Sequence, residues 1–336
     1  MRLEGGTFKH MRNVLVTGAA GFLGSHLVKH HLDAGDRVLG IDDFCSSDPK
    51  SAHLAALKTN ERFTFYDGDI TKPTLSNISI DRYIKINGKL DIVYNFACPA
   101  SPPRYQDMPL HTMLTCVLGT DLMLDVAGRN EAVFVQASTS EVYGDPNVSP
   151  QPESYRGYVN SYGPRSCYDE GKRAAEALCY DHRNTYGVDA RLVRIFNTYG
   201  PNMDPYDGRV VSNFIRQALK GEPLTIYGHG QQTRSFCYVD DLIRGIVAMA
   251  ELPTNPGTPI NLGNPIEFTI HELASRIALT LNGGKLVEKH DAMPVDDPSR
   301  RCPDITFARD LLGWEPKVGL HEGLEKTIAY FKNYIQ

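Results

Sequence analysis

Tyr168 and Lys172 stand four residues apart, and a separate segment reads Ala137-Ser138-Thr139-Ser140-Glu141-Val142-Tyr143-Gly144. Four residues on a helix put the phenol and the ammonium on one face. An ammonium beside a phenol lowers the phenol's pKa toward the working pH, so the pair predicts a phenolate able to take a proton from a hydroxyl. Tyrosine and lysine on a helix are commonly no more than a solvated surface pair. Their surroundings in the chain give them chemistry.

Gly18, Gly21 and Gly24 come directly after an apolar run, Arg12 to Thr17, and open a helical pattern that begins at Phe22 and Leu23 and extends to Ala34. Strand, glycines and helix in that order let backbone N–H groups approach a pyrophosphate at a helix N-terminus. Asp42, 18 residues beyond Gly24 at the end of a second strand, is placed to accept hydrogen bonds from an adenosine ribose and to repel a 2′-phosphate. NAD is therefore expected over NADP. Asp69, in Asp67-Gly68-Asp69-Ile70, ends a third strand within reach of an adenine.

Further strands are expected at Phe63 to Tyr66, Leu90 to Asn95, Ala132 to Gln136 and Ala190 to Ile195, with helical patterns at Met108 to Arg129 and Arg165 to Tyr186. Such alternation predicts an α/β fold, a Rossmann-type doubly wound parallel sheet. After Gly200-Pro201 the elements shorten: a helix at Val210 to Lys220, a strand at Leu224 to Tyr227, a helix from Val239, a strand at Pro259 to Leu262 and a helix from Thr269. Residues 11–196 are thus expected to form the dinucleotide-binding domain, with a returning segment near 236–262. Residues 197–336 would form mainly a smaller C-terminal α/β substrate-binding lobe.

The 336 residues are 41% hydrophobic and 22% charged, with a net charge of -5. That balance offers no electrostatic footprint for nucleic acid or an anionic membrane. No apolar stretch is expected to reach the roughly 18 to 20 residues that span a bilayer, and Met1 to Met11 lacks the apolar core of a secretory signal. A cytoplasmic protein is expected, with a removed N-terminal anchor left open. Seven cysteines without Cys-x-x-Cys spacing suit free thiols in a reducing compartment. The scattered histidines predict no metal site.

The glycine loop and Tyr168-x-x-x-Lys172 resemble the extended short-chain dehydrogenase/reductase superfamily. Four segments, Ala97 to Pro103, Ser138 to Pro146, Cys167 to Arg173 and Arg194 to Pro201, are similar to its UDP-glucuronate decarboxylase (UDP-xylose synthase) branch. The likeness continues through Asp207 to Phe214, Gln232-Thr233-Arg234, Asn261 to Pro265, Asp297-Pro298 to Pro303-Asp304, and Leu312-Gly313-Trp314-Glu315-Pro316. The resemblance implies a lyase that oxidises UDP-glucuronate at C4 with NAD, releases CO2 from the resulting β-keto acid, and re-reduces the product to UDP-xylose. It assigns catalysis to Thr139, Ser140, Glu141, Tyr168, Lys172 and Arg234, with Arg234 meeting the substrate carboxylate and Glu141 crowding or repelling it. Its cofactor set is Gly18, Gly21, Phe22, Leu23, Gly24, Asp42, Asp43, Asp69, Ile70, Ala97, Cys98, Thr115, Tyr168, Lys172 and Thr198. Its substrate set is Asn197, Arg209, Tyr227, Arg234 and Arg301. It also implies a homodimer joined through the helices at Met108 to Arg129 and Arg165 to Tyr186.

Leu114 stands where relatives commonly carry lysine, Cys116 where they carry Asn or Ser, and Cys98 where they often carry serine. Loss of the lysine is expected to loosen contact with the sugar carboxylate. Competing readings remain. A 4,6-dehydratase needs an acid where Ser140 stands, and a 4-epimerase has no use for Glu141 and Arg234 together. An oxidative decarboxylase would release UDP-4-keto-pentose and NADH. A dinucleotide-sensing binding protein would not need Tyr168 and Lys172.

Overall fold

The computed structural model describes residues 11–335 apart from Pro294, Val295, Asp297 and Ser299, so Asp297 of the quoted Asp297-Pro298 pair and the start of the Met1 to Met11 stretch lie outside the described residues. The strands are β1 (Asn13–Thr17), β2 (Arg37–Asp42), β3 (Phe63–Asp67), β4 (Ile92–Asn95), β5 (Val133–Thr139), β6 (Ala190–Ile195) and β7 (Thr198–Tyr199). They continue with β8 (Leu224–Tyr227), β9 (Thr233–Ser235), β10 (Cys237–Tyr238), β11 (Ile260–Leu262), β12 (Glu267–Thr269), β13 (Glu288–Asp291) and β14 (Arg300–Arg301).

Seven strands form one parallel sheet in the order β11-β6-β5-β4-β1-β2-β3. Helices cover both faces, so its strands read as continuous apolar runs. Within β1, Val14 and Val16 join one core cluster and Leu15 the other, the period of two expected of a strand buried on both sides. The connection reverses direction between β1 and β4, and the crevice there, at the carboxyl ends of the strands, is where such sheets hold ligands. Three small sheets, β10-β7, β12-β9-β14 and β13-β8, come from later sequence and stand beside that edge.

The expected helix at Met108 to Arg129 is a run of three pieces: α-helix Pro109–Leu114, a π turn at Thr115–Gly119 and α-helix Thr120–Asn130. A Cβ on Gly119 would fall 2.6 Å from Ile70 Cδ1, so the glycine lets this helix close on the loop after β3. Contrary to the sequence expectation, the run Pro109–Asn130 is long and apolar enough to cross a membrane by length and composition. Half of its most apolar window is buried inside the fold, and it packs against the helix Ser166–Tyr186. The helix Pro73–Asn87 escaped the sequence reading because Pro73, Ser76, Asn77 and Ser79 interrupt its apolar periodicity.

The glycine loop depends on close backbone approach. Gly18 has φ of +69° and a Cβ there would meet Phe96 O at 2.8 Å, while a Cβ on Gly24 would stand 1.9 Å from Gly18 O. Gly24→Ala is expected to lower stability by about 1–3 kcal/mol, the usual cost of overpacking. A shift in the urea midpoint, together with weaker retention of NAD, checks this.

Candidate active site

The carboxyl ends of β1, β4 and β5 open into a cavity of about 820 Å³. Every cofactor, catalytic and substrate residue named from the sequence lines it. At one end, Gly18, Gly21 and Gly24 line the cavity at the N-terminus of the helix Phe22–Asp33, and a Cβ on Gly18 or Gly24 would collide with backbone, so the glycines let the loop fold tightly there. This cradle fits a pyrophosphate, and the residues present therefore fit NAD. Asp42 does more than expected. Its Oδ2 accepts from Ala20 N at 2.9 Å, and its Oδ1 accepts from Phe44 N at 2.9 Å and Ser47 Oγ at 2.8 Å, so the carboxylate also ties the glycine loop to the turn after β2. Burial pushes its pKa up against these hydrogen bonds. Asp69 Oδ1 accepts from Thr71 N at 2.8 Å and holds its own turn beside Ile70.

At the other end, Tyr168 and Lys172 lie on the helix Ser166–Tyr186, both buried. The Lys172 ammonium sits 5.8 Å from the Tyr168 ring centre and donates to Ala137 O at 2.9 Å. The expectation that lysine brings the phenol toward the working pH needs correcting. Burial dominates and pushes Tyr168 up to about 12, while Lys172 and a hydrogen bond with Thr139 pull it down only in part. A buried phenolate loses more hydration than one nearby ammonium returns. Burial likewise opposes the charge on Lys172, but Cys98, Cys116 and Tyr168 outweigh it and raise the proton affinity of the amine. The Tyr168 ring stacks on Tyr105, centroids 4.9 Å apart and planes within 5°.

Glu141 follows β5 in a short 3-10 turn capped by the Thr139 hydroxyl, which accepts from Glu141 N at 3.3 Å. Its Oε2 accepts from Arg301 Nη2 at 3.1 Å and from Arg165 Nη2. Burial would raise the Glu141 pKa, but the charges of Arg301, Arg165 and Arg234 hold it well below the usual carboxylate range. Arg301, placed with the nucleotide by resemblance, is thus found on the Glu141 carboxylate. It is 1% exposed and also donates to Gly144 O. Arg234 is its neighbour across the β14–β9 pair and donates to the carbonyls of Thr233 and Pro298. Ser140 is buried beside Glu141.

Arg209 donates to Ala100 O at 2.7 Å, bridging the segment before Val210–Leu219 to the loop after β4. Asn197 and Thr198 approach from the end of β6, and the half-open Tyr227 from the end of β8. Asp43, Ala97, Cys98 and Thr115 complete the wall. Leu114 differs from expectation: it is 48% exposed and is not among the residues lining the cavity, so the leucine removes no charge from the site.

Sequence reasoning missed Arg165, Tyr105 and Asp169. Arg165 lies three residues before Tyr168 and could have been found from helical spacing alone. Tyr105 reaches the site only through the fold, and its buried hydroxyl has no hydrogen-bond partner. Asp169 Oδ1 is equally unpartnered, and Arg165 Nε lies 3.8 Å from Asp169 Oδ2. Burial and the nearby Glu141 charge push the Asp169 pKa up to about 7. The fold also gathers Asp43, Cys45 and His111 within 4.8 Å of one another, a grouping of metal-ligand types that no sequence spacing revealed.

Residues 14–263 match the model of the NAD dependent epimerase/dehydratase family, to which the chain belongs. It is 46% identical over 329 residues to UDP-glucuronic acid decarboxylase 1 of Xenopus tropicalis, covering 98% of this chain and 74% of that protein. It is 47% identical over 312 residues to UDP-glucuronic acid decarboxylase 3 of Arabidopsis thaliana, covering 93% of this chain and 86% of that one. Among solved structures it is similar to the UDP-glucuronic acid 4-epimerase of Bacillus cereus in complex with UDP-glucuronic acid and NAD, with 30% identity, a TM-score of 0.83 and coverage of 96% and 99%.

A carboxyl whose folded pKa is raised favours the folded state only while protonated. The Asp169 contribution therefore falls as pH rises from its ordinary value of 3.8 toward about 7. Glu141, held low, acts in the opposite sense: its contribution is present at neutral pH and lost on acidification. Asp169→Asn is expected to lose less stability than the parent as pH rises from about 4 to about 7, measured by denaturant titration at each pH.

Proposed function

We infer that the protein decarboxylates UDP-glucuronate to UDP-xylose. The supporting observation is that Glu141, paired with Arg165 and Arg301, shares one cavity with Thr139, Tyr168 and Lys172. The relatives named as UDP-glucuronic acid decarboxylases support the same reading. Gly18, Gly21, Gly24 and Asp42 would hold NAD, which would supply reversible two-electron oxidation at C4. The chain's own residues do the rest.

Tyr168 accepts the C4 hydroxyl proton, and Thr139 hydrogen-bonds the same reacting group. Lys172 supplies positive charge that offsets part of the cost of a buried phenolate. With a ketone at C4, loss of CO2 from C5 leaves charge that spreads onto the carbonyl oxygen as an enolate. Arg301, Arg165 and Arg234 provide the positive field that draws the substrate carboxylate to this end of the cavity. Glu141 competes for the same arginines, keeps that carboxylate from settling into a stable ion pair, and routes a proton toward C5. Ser140 is a poor general acid where a dehydratase needs a strong one, which favours decarboxylation over elimination of water. Asn197, Arg209 and Tyr227 take the nucleotide side.

A second copy of the chain is proposed to cover the exposed row Leu110, Leu114 and Leu118, which are 78%, 48% and 45% exposed at a spacing of four residues. A cytoplasmic setting is proposed on the seven free cysteines.

Incubation with UDP-glucuronate and NAD, followed by CO2 release, NADH absorbance and NMR of the sugar, tests the reaction. UDP-xylose without net NADH is expected. NADH accumulating with a ketopentose would replace this with the oxidative variant, and a six-carbon product would reject decarboxylation. Tyr168→Phe is expected to slow turnover on the order of 10²- to 10⁴-fold. Glu141→Gln is expected to let NADH form while CO2 release lags. Leu114→Asp is expected to convert a dimer to a monomer in light scattering.

A further inference from the structure

Cys98 and Cys116 stand on different elements, yet their sulfurs lie 3.3 Å apart, in van der Waals contact. Cys98 is in the loop that leaves β4 and lines the cavity. Cys116 is 2% exposed, within the π turn Thr115–Gly119. The helix bearing Tyr168 and Lys172 backs it closely: a Cβ on Gly171 would meet Cys116 Cβ at 3.1 Å and its Sγ at 3.3 Å. A larger residue at 171 would crowd Cys116, so the glycine lets the two helical segments approach closely there. Cys98 Sγ also contacts Pro99 O at 3.3 Å.

We propose that Cys98 and Cys116 are a dithiol modification site that closes to a disulfide on exposure to a peroxide and fastens the loop beside Tyr168 and Lys172 to the helix behind it. A disulfide needs the sulfurs at about 2.05 Å, so closure asks for a further approach of roughly 1.2 Å, within the reach of side-chain rotation and a small loop shift. The two thiols differ: burial and the hydrogen bond with Cys116 raise the Cys98 thiol, while that hydrogen bond and the charge of Lys172 hold Cys116 at about 7 against the opposing effect of its burial, which suits Cys116 to the second, bond-closing step.

The chemistry balances with peroxide as the oxidant. Cys98, the more exposed of the two, attacks one peroxide oxygen, the O–O bond breaks, and the thiol proton leaves with the departing oxygen as water. Cys116 then displaces the hydroxyl from the Cys98 sulfenic acid, forming the S–S bond and a second water. Two thiols are oxidised by two electrons in total, and one peroxide is reduced to two waters. Closure draws Cys98 off the cavity wall and removes two thiols from the neighbourhood of Lys172. Turnover is expected to fall until a reductant reopens the bond; that consequence rests on the decarboxylase reading, whereas the cross-link does not.

The test compares the purified protein with Cys116→Ser after exposure to hydrogen peroxide, alkylation of remaining thiols and tryptic digestion without reductant. Cys98 lies in the peptide 90–104 and Cys116 in the peptide 105–129. In the parent these two are expected as one disulfide-linked species, with two of the seven thiols lost and both restored by a phosphine. In Cys116→Ser the linked species is absent and Cys98 is captured by dimedone as a sulfenic acid. Recovery of both parent peptides fully alkylated, or of Cys98 as a sulfinic or sulfonic acid with no cross-link, overturns the proposal. Unchanged turnover in fully cross-linked protein overturns the effect on catalysis while leaving the assigned reaction intact.

Discussion

The Glu141 carboxylate between Arg165 and Arg301 joins three separate parts of the chain: the turn after β5, the start of the helix Ser166–Tyr186, and β14. A buried carboxylate is costly, and removal of one partner from a buried pair typically costs about 3–5 kcal/mol because the remaining charge is stranded. The three groups are therefore mutually dependent. Through Arg301 the small sheet β12-β9-β14 is drawn against the carboxyl edge of the parallel sheet, and Arg234 comes with it by strand pairing. Were this cluster to come apart, the cavity would lose both a wall and its positive field.

The same burial that strengthens these charge pairs raises the cost of ionising Tyr168 and Asp169. Tyr168 and Asp169 are neighbours in sequence, and both are pushed upward by burial. Lys172 and a hydrogen bond with Thr139 offset part of this cost at the phenol, and arginines outweigh it at Glu141. In a low-dielectric cavity each such interaction counts for more than it would in water, so small displacements of the supporting groups carry large consequences for reactivity. The π turn at Thr115–Gly119 is one such support. It brings Thr115 to the cavity and Cys116 to Cys98.

Much of the parallel sheet was legible because its determinants are local. The runs at β1 and β6 and the helix beginning at Phe22 appear where apolar periodicity and glycines place them, and β11 appears within the expected strand from Pro259. The helix Pro73–Asn87 was not legible, since interrupting polar residues blur its period. Nor was the outward direction of Leu114, which depends on how its helix rotates against the helix Ser166–Tyr186. Among site residues, Tyr168 and Lys172 declare themselves by spacing. Arg301 was named, but its contact with Glu141, 160 residues away, was not foreseeable.

By itself the sequence determined the parallel α/β order, the phosphate-binding turn and the Tyr168–Lys172 face, because each follows from dihedral preference or helical spacing over a few residues. Only the tertiary structure decided which charges meet, how deeply they are buried, and which cysteines touch. Burial and pairing are properties of three-dimensional proximity, and the free energy of a charged or reactive group is set by what surrounds it after the chain has closed, not by its neighbours along the chain.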